Sequence, residues 1–422
     1  METEAKSTTW KQKGVAGIVL AATLLVVFVG GLFVYMGVTA RPLHPTPQDV
    51  PSVTHLPPPA EWSDAVDRAR QVVRASAAAQ NLPGVSVAVG AGGEIVWAEG
   101  FGWADIENRV PVTPDLQFRI GTASKVLTSA AVGLLLQKDR LNLDDEIQGY
   151  VPGYPKKQWP VTLRQVMAHL AGVRNDAGDE EPVSVQDARD GEPSTVRCER
   201  TADGLQRFAE RPLLFEPGTE YRYSNYGWVL VSAAVEAAAQ EPFSTFMRTQ
   251  IFAPLGMNDT TAESPTEASP DRATFYFPRF SADPRYGPDE GREVDYSCFA
   301  GSAAFVSTPS DLVRFGLAIH RGTLLQPATV QLLQTSQRLA SGQETGYGLG
   351  WDLETAELAG AQARLVGHDG ELLGGMVASF MTFPEHGIVV AVVANIGFAD
   401  TSSVAVKIAQ AFADQGKPPA SK

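Results

Sequence analysis

Residues 14–40 form an uncharged, mostly apolar run of 27 residues, and no other feature restricts the chain so strongly. A hydrocarbon core offers no water to backbone N–H and C=O groups, so a single segment that crosses it must satisfy them internally, as a helix. At ~1.5 Å per residue the run extends about 40 Å, enough to span a bilayer core of about 30 Å with some tilt. Lys6, Lys11 and Lys13 precede the run and only Arg41 follows closely. That asymmetry places the short amino terminus in the cytoplasm and everything after the helix beyond the membrane, in the periplasm if the cell is bacterial. A cleaved signal peptide is the competing reading, because Val38, Thr39 and Ala40 supply the small residues of a cleavage site. Signal-peptide apolar regions run only about 7 to 15 residues, so an uncleaved anchor is expected. Glu2 and Glu4 speak against a mitochondrial presequence, which is basic and poor in acids.

The anchor sets the organisation of the rest: a cytoplasmic terminus at 1–13, a transmembrane helix at 14–40, a proline-rich stretch at 41–59, a globular domain at 60–415 and a tail at 416–422. Seven prolines between 41 and 59 predict a semi-extended stalk that stands outside the core and holds the domain off the membrane. A composition of 44% hydrophobic and 19% charged residues suits a packed domain. The net charge of −14 argues against nucleic acid as a partner, since that calls for a basic surface. The six histidines lack paired metal-ligand spacing, so neither a metal nor a cofactor is expected. Acidity is concentrated at 176–192, which reads as a solvated loop; placed over a cleft, it would bias selection toward basic substrates. Cys198 and Cys298 lie in separate loop-like stretches, and an oxidising compartment would permit a bridge between them. Their pairing stays open.

Chemistry is carried by three short motifs. In Thr122-Ala123-Ser124-Lys125 a hydroxyl precedes a lysine by three residues, a spacing that puts both on one face of a helix. A hydroxyl becomes a nucleophile when a base takes its proton, and a lysine serves as that base if its own charge is suppressed. Val126, Leu127, Ala130, Ala131, Leu134, Leu135 and Leu136 predict a buried helix that begins near Thr122, so its amino-terminal end favours negative charge developing on a carbonyl. Ser124 points away from the lysine's face and is a poor substitute nucleophile. Tyr223-Ser224-Asn225 supplies a phenol that relays protons and an amide that orients the lysine and a substrate amide. His368-Asp369-Gly370 precedes a strand-like run at 376–383; the histidine donates to substrate or to the tyrosine oxygen, and Gly370 admits a ligand close to the backbone.

In this order and context the motifs resemble the serine beta-lactamase-related family, which includes class C beta-lactamases, esterases, D-amino-acid peptidases and a mitochondrial protease-like branch. Further matches are Leu82-Pro83-Gly84-Val85, Gly100-Phe101-Gly102-Trp103, His169 within Val166-Met167-Ala168-His169-Leu170-Ala171-Gly172, Ser307-Thr308-Pro309-Ser310-Asp311-Leu312 and Tyr347-Gly348-Leu349-Gly350-Trp351. The resemblance covers about residues 60 to 415 and leans toward the mitochondrial branch through Ala104-Asp105-Ile106-Glu107-Asn108-Arg109-Val110-Pro111. It implies an α/β (α+β) transpeptidase-like fold: an antiparallel sheet flanked by helices, plus an all-helical half.

By position, the resemblance makes Thr122 the nucleophile, Lys125 and Tyr223 the proton-transfer pair, and Asn225 a substrate positioner. His368 stands where true beta-lactamases carry lysine, and the amides of Thr122 and Glu371 form the oxyanion hole. His169 is expected to be a structural hydrogen bonder. Threonine departs from the family's serine: its second Cβ branch stiffens χ1 and crowds the attacked carbonyl. Three functions follow. The first is an anchored hydrolase of small-molecule or peptide amides and esters that works through an acyl-enzyme. The second is a catalytically weak or inactive binding protein of the same fold, with self-assembly implied by the mitochondrial branch. The third, a beta-lactamase or D-Ala-D-Ala carboxypeptidase, is weakened because a neutral histidine pairs poorly with a substrate carboxylate.

Apolar runs predict a helix at 60–79, strands at 85–89, 94–100, 376–383 and 387–395, and a last helix at 401–414, so both ends of the chain build one sheet. The polar stretches 174–203 and 264–293 read as loops over the cleft between the sheet and the helical half.

Overall fold

The computed structural model describes residues 2–175, 197–263, 271–291, 294–372 and 376–415. The acidic run 176–192, the tail 416–422 and parts of both expected cleft loops lie outside these residues.

Helix α1 (Glu2–Thr39) contains the apolar run, and its stretch Gly17–Thr39 is long and apolar enough to cross a membrane. The proline-rich segment that follows is not a detached stalk. Leu43 N donates to Asn81 Oδ1, Asn81 Nδ2 donates to the Arg41 carbonyl, and His44 and Val50 are buried. Strand β1 (Ser52–Val53) pairs with Phe101 and Gly100. Proline removes a donor, which an edge position tolerates, so a proline-rich segment can still be fastened along a sheet edge.

The sheet uses both ends of the domain, as expected. Eight antiparallel strands run in the order β1, β3 (Glu94–Asp105), β2 (Gly84–Ala91), β7 (Ile388–Ala394), β6 (Met376–Phe383), β5 (Ala361–Leu372) and β4 (Asp352–Leu358), with Val110–Pro111 added to β3. Every residue of β2, β6 and β7 is buried because helices cover both faces, which explains their unbroken apolar runs. On one face α2 (Ser63–Gln80) and α6 (Thr401–Gln415) pack on Val87, Val89, Val390 and Val392. Helix α2 offers Ala65, Val66, Ala69, Val73 and Ala77 as its stripe. The opposite face carries Ala88, Val389, Ala391 and Phe380, against α5 (Pro309–Arg321) and the helical half built around α3 (Ser124–Leu136) and α4 (Asn225–Ala239). His368 lies inside β5, opposite Phe380 of β6, and not ahead of the strand.

Where the halves meet, a buried ion pair fixes the segment leading into α3. Arg119 Nε donates to Glu263 Oε1 at 2.7 Å, with the guanidinium 4.9 Å from the Phe275 ring centroid and both side chains almost wholly enclosed. Cys198 and Cys298 form a disulfide, which joins the segment before the 3-10 turn Thr201–Arg207 to the turn before Ala300.

Removing one member of a buried pair leaves an uncompensated charge. Glu263→Ala is expected to cost about 3 to 5 kcal/mol, whereas Arg119→Met with Glu263→Leu stays near the parent. Thermal melts of the purified full-length protein in detergent check this: equal Tm losses for the single and double variants would refute it.

Candidate active site

Lys125 is completely buried, in the first turn of α3. An ammonium without water needs protein acceptors, and Nζ donates to Asn225 Oδ1 at 2.7 Å and to the Ser302 carbonyl at 3.2 Å. It also lies 4.7 Å from the Tyr223 ring centroid, a cation–π distance. Asn225 opens α4, whose N-cap Ser224 accepts from Gly227 N. The Ser302 carbonyl is presented by a short turn that Thr128 Oγ1 holds through the Gly301 carbonyl. Three separate stretches of chain therefore converge on one ammonium.

Thr122 occupies a 3-10 turn, Gly121–Ala123, immediately before α3. That turn sits directly on β5. A Cβ at Gly370 would lie 2.0 Å from the Ile120 carbonyl oxygen, and one at Gly121, whose φ is +53°, would lie 3.1 Å from the Glu371 backbone. Gly370 is thus needed for the approach of the turn, a different reason from the ligand contact expected of it. The Glu371 backbone comes beside Gly121 and Thr122, while the Glu371 carboxylate accepts from Phe398 N. Thr122 Oγ1 donates to the Asp369 carbonyl at 3.0 Å. Ser124 is buried with its Oγ accepting from Phe305 N, so it offers no second nucleophile.

His368 is engaged on both ring nitrogens. The Asp369 carbonyl can only accept, so Nδ1 carries the proton; Nε2 then accepts from Tyr347 Oη at 3.2 Å. Burial first, and the Lys125 charge second, lower its pKa to about 3. A neutral imidazole that is already satisfied must break an internal bond before it can donate to a substrate. His169 stacks 4.3 Å from the Tyr223 ring centroid and its Nδ1 accepts from Ser224 N, the structural bond expected of it. Burial, then the charges of Lys125 and His368, hold it well below the usual imidazole range.

Two neighbours of the cleft escaped the sequence reading. Tyr347 lies within a recognised motif but gained a role only from its bond to His368. Asp352, at the start of the edge strand β4, places Oδ2 3.8 Å from His368 Nδ1. Burial raises its pKa to about 6 despite the opposing Lys125 charge. A lone aspartate at a strand end gives no local sign of this placement.

A sequence model of the family described as Beta-lactamase matches residues 69–414, and the chain belongs to that family. Serine beta-lactamase-like protein LACTB, mitochondrial, of Mus musculus is 27% identical, with 86% of this chain and 83% of the mouse protein aligned. Penicillin-binding protein 4* of Bacillus subtilis is 29% identical over 66% of this chain and 61% of its own length. Among solved structures, a D-amino acid amidase from Ochrobactrum anthropi superposes with a TM-score of 0.67 at 25% identity, covering 83% of this chain and 99% of that one. The octameric penicillin-binding protein homologue from Pyrococcus abyssi superposes with a TM-score of 0.68 at 23% identity, over 81% and 76% of the two chains, and supports the fold.

The buried imidazoles make acid destabilising. An unfolded histidine takes a proton near pH 6.5, whereas folded His368 refuses one until about 3, so stability falls as pH drops through that window. The loss from this group approaches on the order of 4 kcal/mol at the acid end. His368→Gln is expected to flatten that limb in denaturation curves between pH 7 and 4. Asp352 changes in the opposite sense, because its raised pKa favours the folded protonated form as pH falls. Parallel parent and variant curves would refute the assignment.

Proposed function

We propose that this member of the beta-lactamase family is a single-pass membrane-anchored hydrolase that cleaves amide or ester bonds through an acyl-enzyme on Thr122. The observation that carries the reading is the buried Lys125 ammonium, held by Asn225 Oδ1 at the motif positions where the family keeps its proton-transfer machinery. A lysine enclosed to this degree is costly unless its placement is used, and hydroxyl activation is the use its neighbours fit. Thr122 Oγ attacks the carbonyl carbon and gives its proton to the Tyr223 oxygen, held as the phenolate by the adjacent Lys125 ammonium; the bond to the leaving amine or alcohol breaks as that group takes the proton back from Tyr223. Water then repeats the sequence and releases the acid. The amides of Thr122 and Glu371 face the developing oxyanion in this scheme, with Asn225 positioning lysine and substrate.

The N-terminal run Gly17–Thr39 supports the anchor, and Lys6, Lys11 and Lys13 support an extracytoplasmic domain. Self-assembly belongs to the same proposal, prompted by the octameric Pyrococcus homologue. A binding protein of the same fold is the second reading. The bond from Thr122 Oγ1 to the Asp369 carbonyl favours it, because that proton is directed away from the lysine. A dedicated beta-lactamase or carboxypeptidase fits less well, since His368 already spends both nitrogens on the protein.

Intact-mass measurement after exposure to an aryl ester or fluorophosphonate probe separates these readings. The parent is expected to gain one adduct and Thr122→Ala none. An unlabelled parent, or equal labelling of both, would overturn the hydrolase. Thr122→Ser removes the crowding methyl, and its acylation rate is expected to rise by about tenfold to a hundredfold, the range tied to misplacement of a reacting atom by ~1 Å.

A further inference from the structure

The charged groups near Thr122 have a sign that the substrate must match. His368, the residue at the lysine position of true beta-lactamases, is neutral and satisfied by Asp369 and Tyr347. The ammonium of Lys125 is sealed inside with no exposed surface. Asp352 differs from both, because its side chain is 38% exposed at the end of the edge strand. Its Oδ2 lies 3.8 Å from His368 Nδ1, which donates to the Asp369 carbonyl, and Thr122 Oγ1 donates to that same carbonyl. Acid and hydroxyl therefore flank the same imidazole-to-carbonyl contact. The buried Tyr347 forms an antiparallel backbone bridge with Asp352, and the ring of Tyr221, 40% exposed, has its centroid 6.1 Å from that of Tyr347. A carboxylate bordered by tyrosine rings suits an ammonium group, which pairs with the acid and lies against the ring faces.

We propose that Asp352 is a specificity-determining residue, through which the cleft selects substrates bearing a cationic amine a few bonds from the scissile carbonyl and rejects those bearing a carboxylate there. The inference rests on the proposed hydrolytic site at Thr122, and it deepens that reading by naming a substrate class. Asp352 does not enter the covalent chemistry. A role purely as counter-charge to the buried Lys125 predicts something different: its loss would alter every substrate alike.

Three anilides of similar size separate the two roles: β-alanine anilide, which carries an ammonium, neutral propionanilide, and succinanilic acid, which carries a carboxylate. Calorimetric titration of the full-length protein in detergent at a fixed neutral pH gives their Kd values, and aniline release from the same compounds gives turnover. The parent is expected to bind the ammonium compound about two- to fivefold more tightly than the neutral one, the range of a partly exposed ion pair, and the carboxylate compound more weakly still. Asp352→Asn should erase the ranking and Asp352→Glu should restore it. An unchanged ranking in Asp352→Asn, a parent that treats the three alike, or a parent that binds none of them overturns the proposal. Selective binding without aniline release overturns the hydrolase and leaves the selectivity standing. Aniline release without selectivity does the reverse.

Discussion

A single ammonium in a place that water does not reach governs this structure. Lys125 has no exposed surface, and an enclosed charge is tolerated only when acceptors surround it. Asn225 from the first turn of α4 and the Ser302 carbonyl from the turn after Phe299 meet that demand, with the Tyr223 ring against the same group. The requirement couples pieces that share no sheet: α3 supplies the charge, and α4 and the turn at Ser302 supply the lone pairs. Two glycines complete the arrangement from the sheet side, because only the lack of Cβ at Gly121 and Gly370 lets the Thr122 turn lie on β5. The Thr122 turn is fixed by backbone contact, and Lys125 by burial.

The electrostatic character of the cleft follows from this enclosure. The charge on Lys125 lies close enough to push His368 and His169 further toward neutrality and to draw the Asp352 carboxyl down against its burial. The imidazoles then act as neutral donors and acceptors within the protein. Thr122 differs from the serine expected at its motif position, and its hydroxyl bond to the Asp369 carbonyl shows the rotamer this β-branched side chain adopts without substrate.

Much of the fold was legible because burial leaves a clear pattern. The strands β2, β6 and β7 are buried on both faces and read as continuous apolar runs, and α2 and α6 carry regular stripes. Strand β4 and the outer half of β5 were harder, since Glu354, Glu357, Gln362 and Arg364 sit near the sheet edge, where polar residues are tolerated and the alternation is weak. His368 was accordingly read as lying before a strand when it lies within one. The stretch 41–59 misled for another reason: prolines announce an extended backbone but say nothing of whether it is free or docked, and His44, Val50 and β1 dock it. Thr122, Lys125, Tyr223, Asn225 and His368 were found through their motifs, and they do come together. Asp352 was invisible because its meaning depends on β4 pairing with Gly367, a tertiary fact with no local signature.

The disulfide gives the site a topology of its own. Cys198 and Cys298 are 100 positions apart, and the ring they close contains Tyr223, Asn225 and all of α4, with Ser302 just beyond its closure. A break in the main chain anywhere inside that ring still leaves one covalent molecule. The long polar stretch before the second cysteine can therefore be cut without severing the groups that hold the buried ammonium from the strands that carry His368. The covalent continuity of the chain between the two cysteines thus does not depend on a single thread.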